Sequence, residues 1–120
     1  MYERWEKMAE FIKVASVSDV EEGAGKVVEA GGKAIALFKV QGNFYAIDNT
    51  CVHRGGPLGE GFLEEFIVTC PWHGWRYDIT TGKCIMLPNA QVAKYNIKIE
   101  GNDVFVEVRF YLIWGDWIGV

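Results

Sequence analysis

The chain has 120 residues, half of them hydrophobic and 17 of them aromatic, and carries a net charge of −4. That length builds one core domain and is short for two. Without a Lys/Arg run or stripe, nucleic acid and anionic membrane surfaces are poor partners, and no stretch of about 20 apolar residues offers a membrane span. The three cysteines, an odd and low count, do not form a disulfide framework. The start, Met1 to Lys7, holds acidic residues and no apolar signal region. Together these features imply a reducing, cytoplasmic setting.

In chain order, the Trp5 and Met8 spacing suggests a short helical turn within residues 1–10, followed by a first strand at 11–15. Ser18 to Gly23 is polar and turn-like. Lys26–Ala30 and Ala34–Val40 are β-rich runs around Gly31-Gly32, a hairpin signal. Gln41-Gly42-Asn43 predicts the next turn and Phe44–Ile47 the next strand. Tyr95, Ile97 and Ile99 alternate with polar residues, and after Gly101-Asn102-Asp103 so do Val104, Val106 and Val108. This period of two predicts a half-buried antiparallel hairpin. The fold class is therefore all-β.

Residues of about 48–88 differ from these blocks: they hold all three prolines, all three cysteines and both histidines. Such a concentration suggests a loop-rich site on a β scaffold. Its centre is Cys51-Val52-His53, sixteen residues, then Cys70-Pro71-Trp72-His73. Two thiolates and two imidazoles suit iron–sulfur or zinc chemistry. Structural zinc sites take their ligands as a Cys pair followed by a His pair, whereas each half here brings one Cys and one His. That distribution suits a two-iron cluster with unequal irons, two Cys on one and two His on the other. Gly55, Gly56 and Gly74 beside the ligands let backbone N–H groups approach bridging sulfides.

The segments Cys51-Val52-His53-Arg54-Gly55-Gly56-Pro57-Leu58 and Cys70-Pro71-Trp72-His73-Gly74-Trp75-Arg76-Tyr77-Asp78 resemble the two cluster loops of Rieske-type ferredoxins. The resemblance spans about residues 11–109. It implies the Rieske fold, an antiparallel β-sandwich or barrel base with a loop-rich cluster-binding subdomain at about 48–88. It implies one [2Fe–2S] cluster, with Cys51 and Cys70 on the buried iron and His53 and His73 on the outer one. Pro88, in a third loop, would cover the cluster from another side.

Both histidines are used by such a cluster, which leaves no ligands for the mononuclear iron of a complete oxygenase. Compared with respiratory Rieske proteins, the positions of the loop-joining disulfide hold Gly56 and Trp72, and Trp75 replaces a serine that bonds a cluster sulfur. Fewer hydrogen bonds to the cluster predict a low potential, about −150 to 0 mV. Tyr77 keeps a hydroxyl that pushes the other way. No nucleophile–base pair, P-loop or dinucleotide fingerprint is visible, so no catalytic residue is assigned. Trp72 and Trp75 either shape a docking surface or pack around the cluster. Cys84 reads as a buried, inert thiol, and Asp48 and Asn49 as turn formers.

The expected function is a low-potential one-electron carrier between a reductase and a Rieske-type oxygenase, an electron-transfer component rather than a stand-alone enzyme. The alternatives are the small subunit of an NAD(P)H-dependent nitrite reductase, or a non-catalytic redox-sensing or assembly subunit. Residues 1–10 form an N-terminal extension. Residues 110–120, with two tryptophans and five other large apolar side chains, form a C-terminal one. Such a tail either packs on its own barrel, with Trp5 and Met8, or docks on another subunit. The first is favoured; oligomeric state stays open.

Overall fold

A computed structural model describes residues 4–52 and 55–114, with side chains from Ala9 to Val108. The described chain contains no α-helix. Its strands are β1 (Arg4–Ser16), β2 (Ala24–Ala30), β3 (Lys33–Val40), β4 (Asn43–Asp48), β5 (Phe62–Glu64), β6 (Ile67–Thr69), β7 (Arg76–Asp78), β8 (Lys94–Tyr95), β9 (Ile97–Glu100) and β10 (Asp103–Trp114), with 3-10 turns at Val17–Asp19 and Leu58–Glu60. They form three antiparallel sheets, ordered β1-β10-β9, β2-β3-β4-β8 and β5-β6-β7.

Strand β3 explains how these sheets stack. Its run Ile35-Ala36-Leu37-Phe38 is entirely buried, as a strand covered on both faces must be. Successive side chains point to opposite faces. Ala36, Phe38 and Val40 join Val68, Tyr77 and Cys70 in one core, while Ile35 and Leu37 join Val104, Val106 and Val108 in the other. The β2-β3-β4-β8 sheet is therefore the middle layer, with the cysteine loops and their small sheet on one side and β1-β10-β9 on the other.

The Gly31-Gly32 hairpin forms as the sequence predicts, with Ala30 opposite Lys33. At the Gln41-Gly42 turn, Gln41 sits at φ 54, strained for a residue with a Cβ. Glu22 steadies this turn by accepting the N–H groups of Gln41 and Gly42, the latter at 2.9 Å. The Gly42 bond first, and the Gln41 bond second, hold the Glu22 carboxyl below its ordinary value of 4.5. A depressed carboxyl stabilises the fold above its unfolded value and loses that contribution as pH falls through the folded value. The stability gap between the native protein and Glu22→Gln, read from urea midpoints, is thus expected to be full at neutral pH. It should shrink as pH falls below 4.5 and vanish once the folded carboxyl is protonated.

Two sequence expectations are corrected. The helical turn within residues 1–10 is absent from residue 4 onward, because β1 already runs there, paired with β10 from Arg4↔Trp114 to Ser16↔Asp103. The β10 backbone offers this segment a full ladder, which outweighs an i, i+3 apolar pair. The single strand expected over 95–99 is split at Asn96: Tyr95 pairs with β4 and Ile97–Glu100 with β10. Ile99 ends 45% exposed rather than buried. The apolar tail enters the described structure as far as Trp114, in register with β1, with Met8 opposite Phe110 and Trp5 opposite Ile113. Residues 115–120 lie outside the described residues.

Candidate metal centre

Two loops carry the sequence motif, and they share one backbone plan. The first spans 51–56 and is closed by the Thr50↔Pro57 bridge; the second spans 70–75 and is closed by the Thr69↔Arg76 pair of β6 and β7. In the first, the Cys51 N–H donates to the Gly56 carbonyl at 2.9 Å and the Gly55 N–H to the Cys51 carbonyl at 2.8 Å. In the second, the Cys70 N–H donates to the Trp75 carbonyl at 2.7 Å and the Gly74 N–H to the Cys70 carbonyl at 3.1 Å. The fifth residue of each, Gly55 and Gly74, has φ 78, a left-handed conformation that favours glycine. The motif spacings look unequal, C-x-H against C-x2-H. The two loops are nevertheless the same length between their closing pairs, with the histidine one position later in the second.

These loops bring Cys51 and Cys70 into one core with Phe38, Ile47, Leu58 and Tyr77. Both thiols are buried, at 2% and 3% exposure, and neither is in a disulfide. His73 lies on the exposed side of its loop. His53, the remaining candidate ligand, lies outside the described residues. Among the described residues no cluster of three metal-binding side chains is assembled.

The cradle fits a bulky sulfur-bound group. A Cβ added to Gly56 would stand 2.5 Å from the Cys70 Sγ and 3.1 Å from the Trp72 ring, so glycine alone leaves that volume open. Tyr77, fully buried on β7, places its hydroxyl 3.2 Å from the Cys51 Sγ, and the Val52 N–H donates to the same hydroxyl at 3.2 Å. Burial foremost, then the bond with Cys51, pushes the phenol well above its ordinary pKa. The phenol stays protonated, and with Cys51 as a thiolate, which has no proton to give, it would be the donor to the sulfur. This matches the hydroxyl expected at this position.

Several neighbours do more, or less, than the sequence suggests. Asn49 is no simple turn former: its buried Oδ1 accepts the Gly59 N–H at 2.7 Å and its carbonyl the Leu58 N–H at 2.7 Å, fastening the chain that returns from the first loop. No spacing signal marks that role. Asp48 ties β4 to β8, accepting from the Ala93 N–H and from the Tyr95 hydroxyl. The two tryptophans separate, Trp75 packing on the core beneath the loops and Trp72 standing 57% exposed. Cys84 is buried, as expected. Val52, Ile85, Met86 and Leu87 are exposed large apolar residues, and Pro88 is exposed beside them.

Two buried thiols on paired loops over an antiparallel β base, with a histidine in the sequence of each loop, fit a metal-cluster protein with mixed sulfur and nitrogen ligation. The chain belongs to the Rieske [2Fe–2S] domain family, whose model matches residues 10–96. Membership implies one Rieske cluster. The ferredoxin component of naphthalene 1,2-dioxygenase/salicylate 5-hydroxylase systems from a Ralstonia species is 37% identical over 100 residues, covering 82% of this chain and 96% of its own. The Sphingomonas yanoikuyae B1 ferredoxin structure is 28% identical with a TM-score of 0.76, covering 82% of this chain and 99% of its own. A Mycobacterium tuberculosis structure described as a NADH-dependent nitrite reductase small subunit reaches a TM-score of 0.78 at 18% identity, over 84% of this chain and 96% of its own. The last likeness concerns the fold alone.

Proposed function

We propose that this chain is a low-potential one-electron carrier, passing electrons from a reductase to a Rieske-type oxygenase, with Cys51, His53, Cys70 and His73 as the cluster ligands. The observation that carries this reading is the matched pair of loops, with both thiols buried and His73 at the surface. Bound there, the cluster supplies a one-electron redox couple. The chain's own residues do the rest. Core side chains such as Phe38 and Leu58 exclude water from the thiol side. The Tyr77 hydroxyl, 3.2 Å from the Cys51 Sγ, would donate to that sulfur once it is a thiolate ligand, and His73 lies on the exposed side of the site, where a partner would dock. The exposed apolar residues Val52 and Trp72 next to the ligands suit a short-lived, mostly apolar contact with that partner. Residues 11–109 form the cluster-bearing domain in this reading. Three cysteines outside any disulfide agree with a reducing cytoplasm. Among the described residues, no helix is long and apolar enough to cross a membrane.

The test begins with purified protein, which is expected to contain iron and acid-labile sulfide in equal amounts. Once reduced, it should give the rhombic EPR signal of mixed His/Cys ligation. His73→Ala should abolish that signal, and equimolar zinc without sulfide would refute the ligand assignment. In a reconstituted reductase–oxygenase chain, omitting this protein should stop turnover. A stable stoichiometric complex with a sirohaem protein would instead favour the nitrite reductase reading.

Hydrogen bonding at Tyr77 makes a further prediction. A donor to a ligand sulfur favours the more negative, reduced state. Tyr77→Phe keeps the buried ring but removes the donor, and should lower the potential by about 50 mV. That is close to 1 kcal/mol on a one-electron couple. Film voltammetry gives the value directly, and an unchanged potential would show that the bond to Cys51 does not tune the site.

A further inference from the structure

Strand β9 ends the outer sheet β1-β10-β9, and among the described residues β10 is its only strand partner. In an antiparallel pair, residues that bond across the pair alternate with residues whose N–H and C=O point away from it. Glu100 stands opposite Asp103 across the Gly101-Asn102 turn, and the Asn96 carbonyl accepts the Glu107 N–H at 2.9 Å. Asn96, Lys98 and Glu100 therefore bond towards β10, and the backbone groups of Ile97 and Ile99 point outward. Among the described residues nothing bonds to those outward groups. From Val104, the partner of Ile99, to Trp114 strand β10 runs roughly 33 Å. The six residues after Trp114 span at most about 22 Å, too little to return to this edge.

The two faces of β9 differ. Ile97 and Ile99 stand opposite Val106 and Val104 and share their core-facing side. Ile97 packs against that core, whereas Ile99 is left 45% exposed. Both line a cleft of about 410 Å³ together with Val17 and Phe44. On the opposite face stands Lys98, a charge of the kind that guards a strand edge against pairing. Its ammonium is drawn back over the sheet, 4.9 Å from the centre of the Phe11 ring and 5.2 Å from that of Phe105. Those rings belong to β1 and β10, so the guard lies inboard of its own strand. Glu100 holds it there at 3.5 Å.

We propose that a second copy of this chain pairs with this edge, β9 against β9 antiparallel about a two-fold axis at Ile99. Charge selects the register. An axis at Lys98 or at Glu100 would set that residue against its own copy, and an axis at Ile97 would set Lys98 against Asn96. The axis at Ile99 sets Lys98 opposite Glu100 on both sides of it, so every cross-strand charge meets its opposite. Each Ile99 then exchanges both backbone bonds with the other, and the two side chains meet beside the clefts. A copy supplies by symmetry both the unbonded edge and the counter-charge. One short strand per copy buries well under the roughly 1,200 Å² of a standard interface, so the pairing is weak and exchanges rapidly. The cysteine loops lie across the middle sheet from β9, so the pairing leaves them uncovered and does not depend on the electron-carrier reading.

Sedimentation equilibrium of the full, cluster-loaded chain should show the average mass rising from 13.5 kDa at about 10 µM towards twice that value at about 1 mM. Hydrogen–deuterium exchange of the Ile99 amide should slow over the same range. Lys98→Glu and Glu100→Lys each set like charges opposite one another on both sides of the axis, and each should weaken association by about tenfold. Mixing the two variants puts opposite charges at every cross-strand position and should restore association, a rescue that misfolded chains would not show. A chain still monomeric at about 1 mM, association indifferent to both reversals, or variants that do not rescue each other would overturn the pairing.

Discussion

Gly56→Ala is expected to strip the protein of its cluster while leaving the β scaffold folded. The methyl group would enter at 2.5 Å from the Cys70 Sγ and about as close to Trp72 as any real Cβ comes, 3.1–3.2 Å. In the metal-free chain the thiol can swing aside, so the fold should lose little. A thiolate held by iron cannot swing, and the same methyl then competes with the ligand itself. Iron content is expected to fall to less than about a tenth of the native value, with far-UV circular dichroism unchanged. Full iron loading in this variant would mean that Cys70 leaves the position described here when the cluster binds, and would count against the cradle. Since Gly56 is followed by Pro57, the loop has little room to relax by shifting its backbone.

The second large effect lies beneath the site. Phe38 is fully buried in the middle sheet, on the face shared with Cys51, Cys70 and Leu58, and Gly25 lies against its ring at 2.6 Å from a notional Cβ. Phe38→Ala opens a cavity of ring size at that layer, and such truncations destabilise by roughly 3–5 kcal/mol. Set against a typical total of about 5–15 kcal/mol, this is a large share. Urea unfolding followed by circular dichroism should show the midpoint fall sharply. Phe38→Leu should recover most of the loss because it refills most of the volume. If the alanine variant unfolds at the native midpoint, the middle sheet is not the common support of both cores. Because Phe38 packs in the same core as both candidate cysteine ligands, the variant is also expected to lose its cluster faster on standing.

Local signals in the chain were enough for the all-β class, the hairpins at Gly31-Gly32 and Gly101-Asn102, and the loop region of 48–88. Each depends on features a few residues apart: alternation, turn residues, clustered Cys and His. The candidate ligands were legible for the same reason, since the C-x-H and C-x2-H pairs are local. Three features were not. Residues 4–10 form a strand because β10, about a hundred residues on, offers them a ladder; no window around Trp5 and Met8 contains that information. The chain breaks at Asn96 because its two halves belong to different sheets. The unequal motif spacings fold into loops of equal length, because one is closed by an isolated bridge, the other by a strand pair, and both by equivalent backbone bonds. Residue types and their local spacing determined by themselves which chemistry this protein can hold. Only the tertiary structure decided that both thiols are buried with Tyr77 while His73 faces outward, because burial, and pairing between segments far apart in sequence, are set by the whole packed chain.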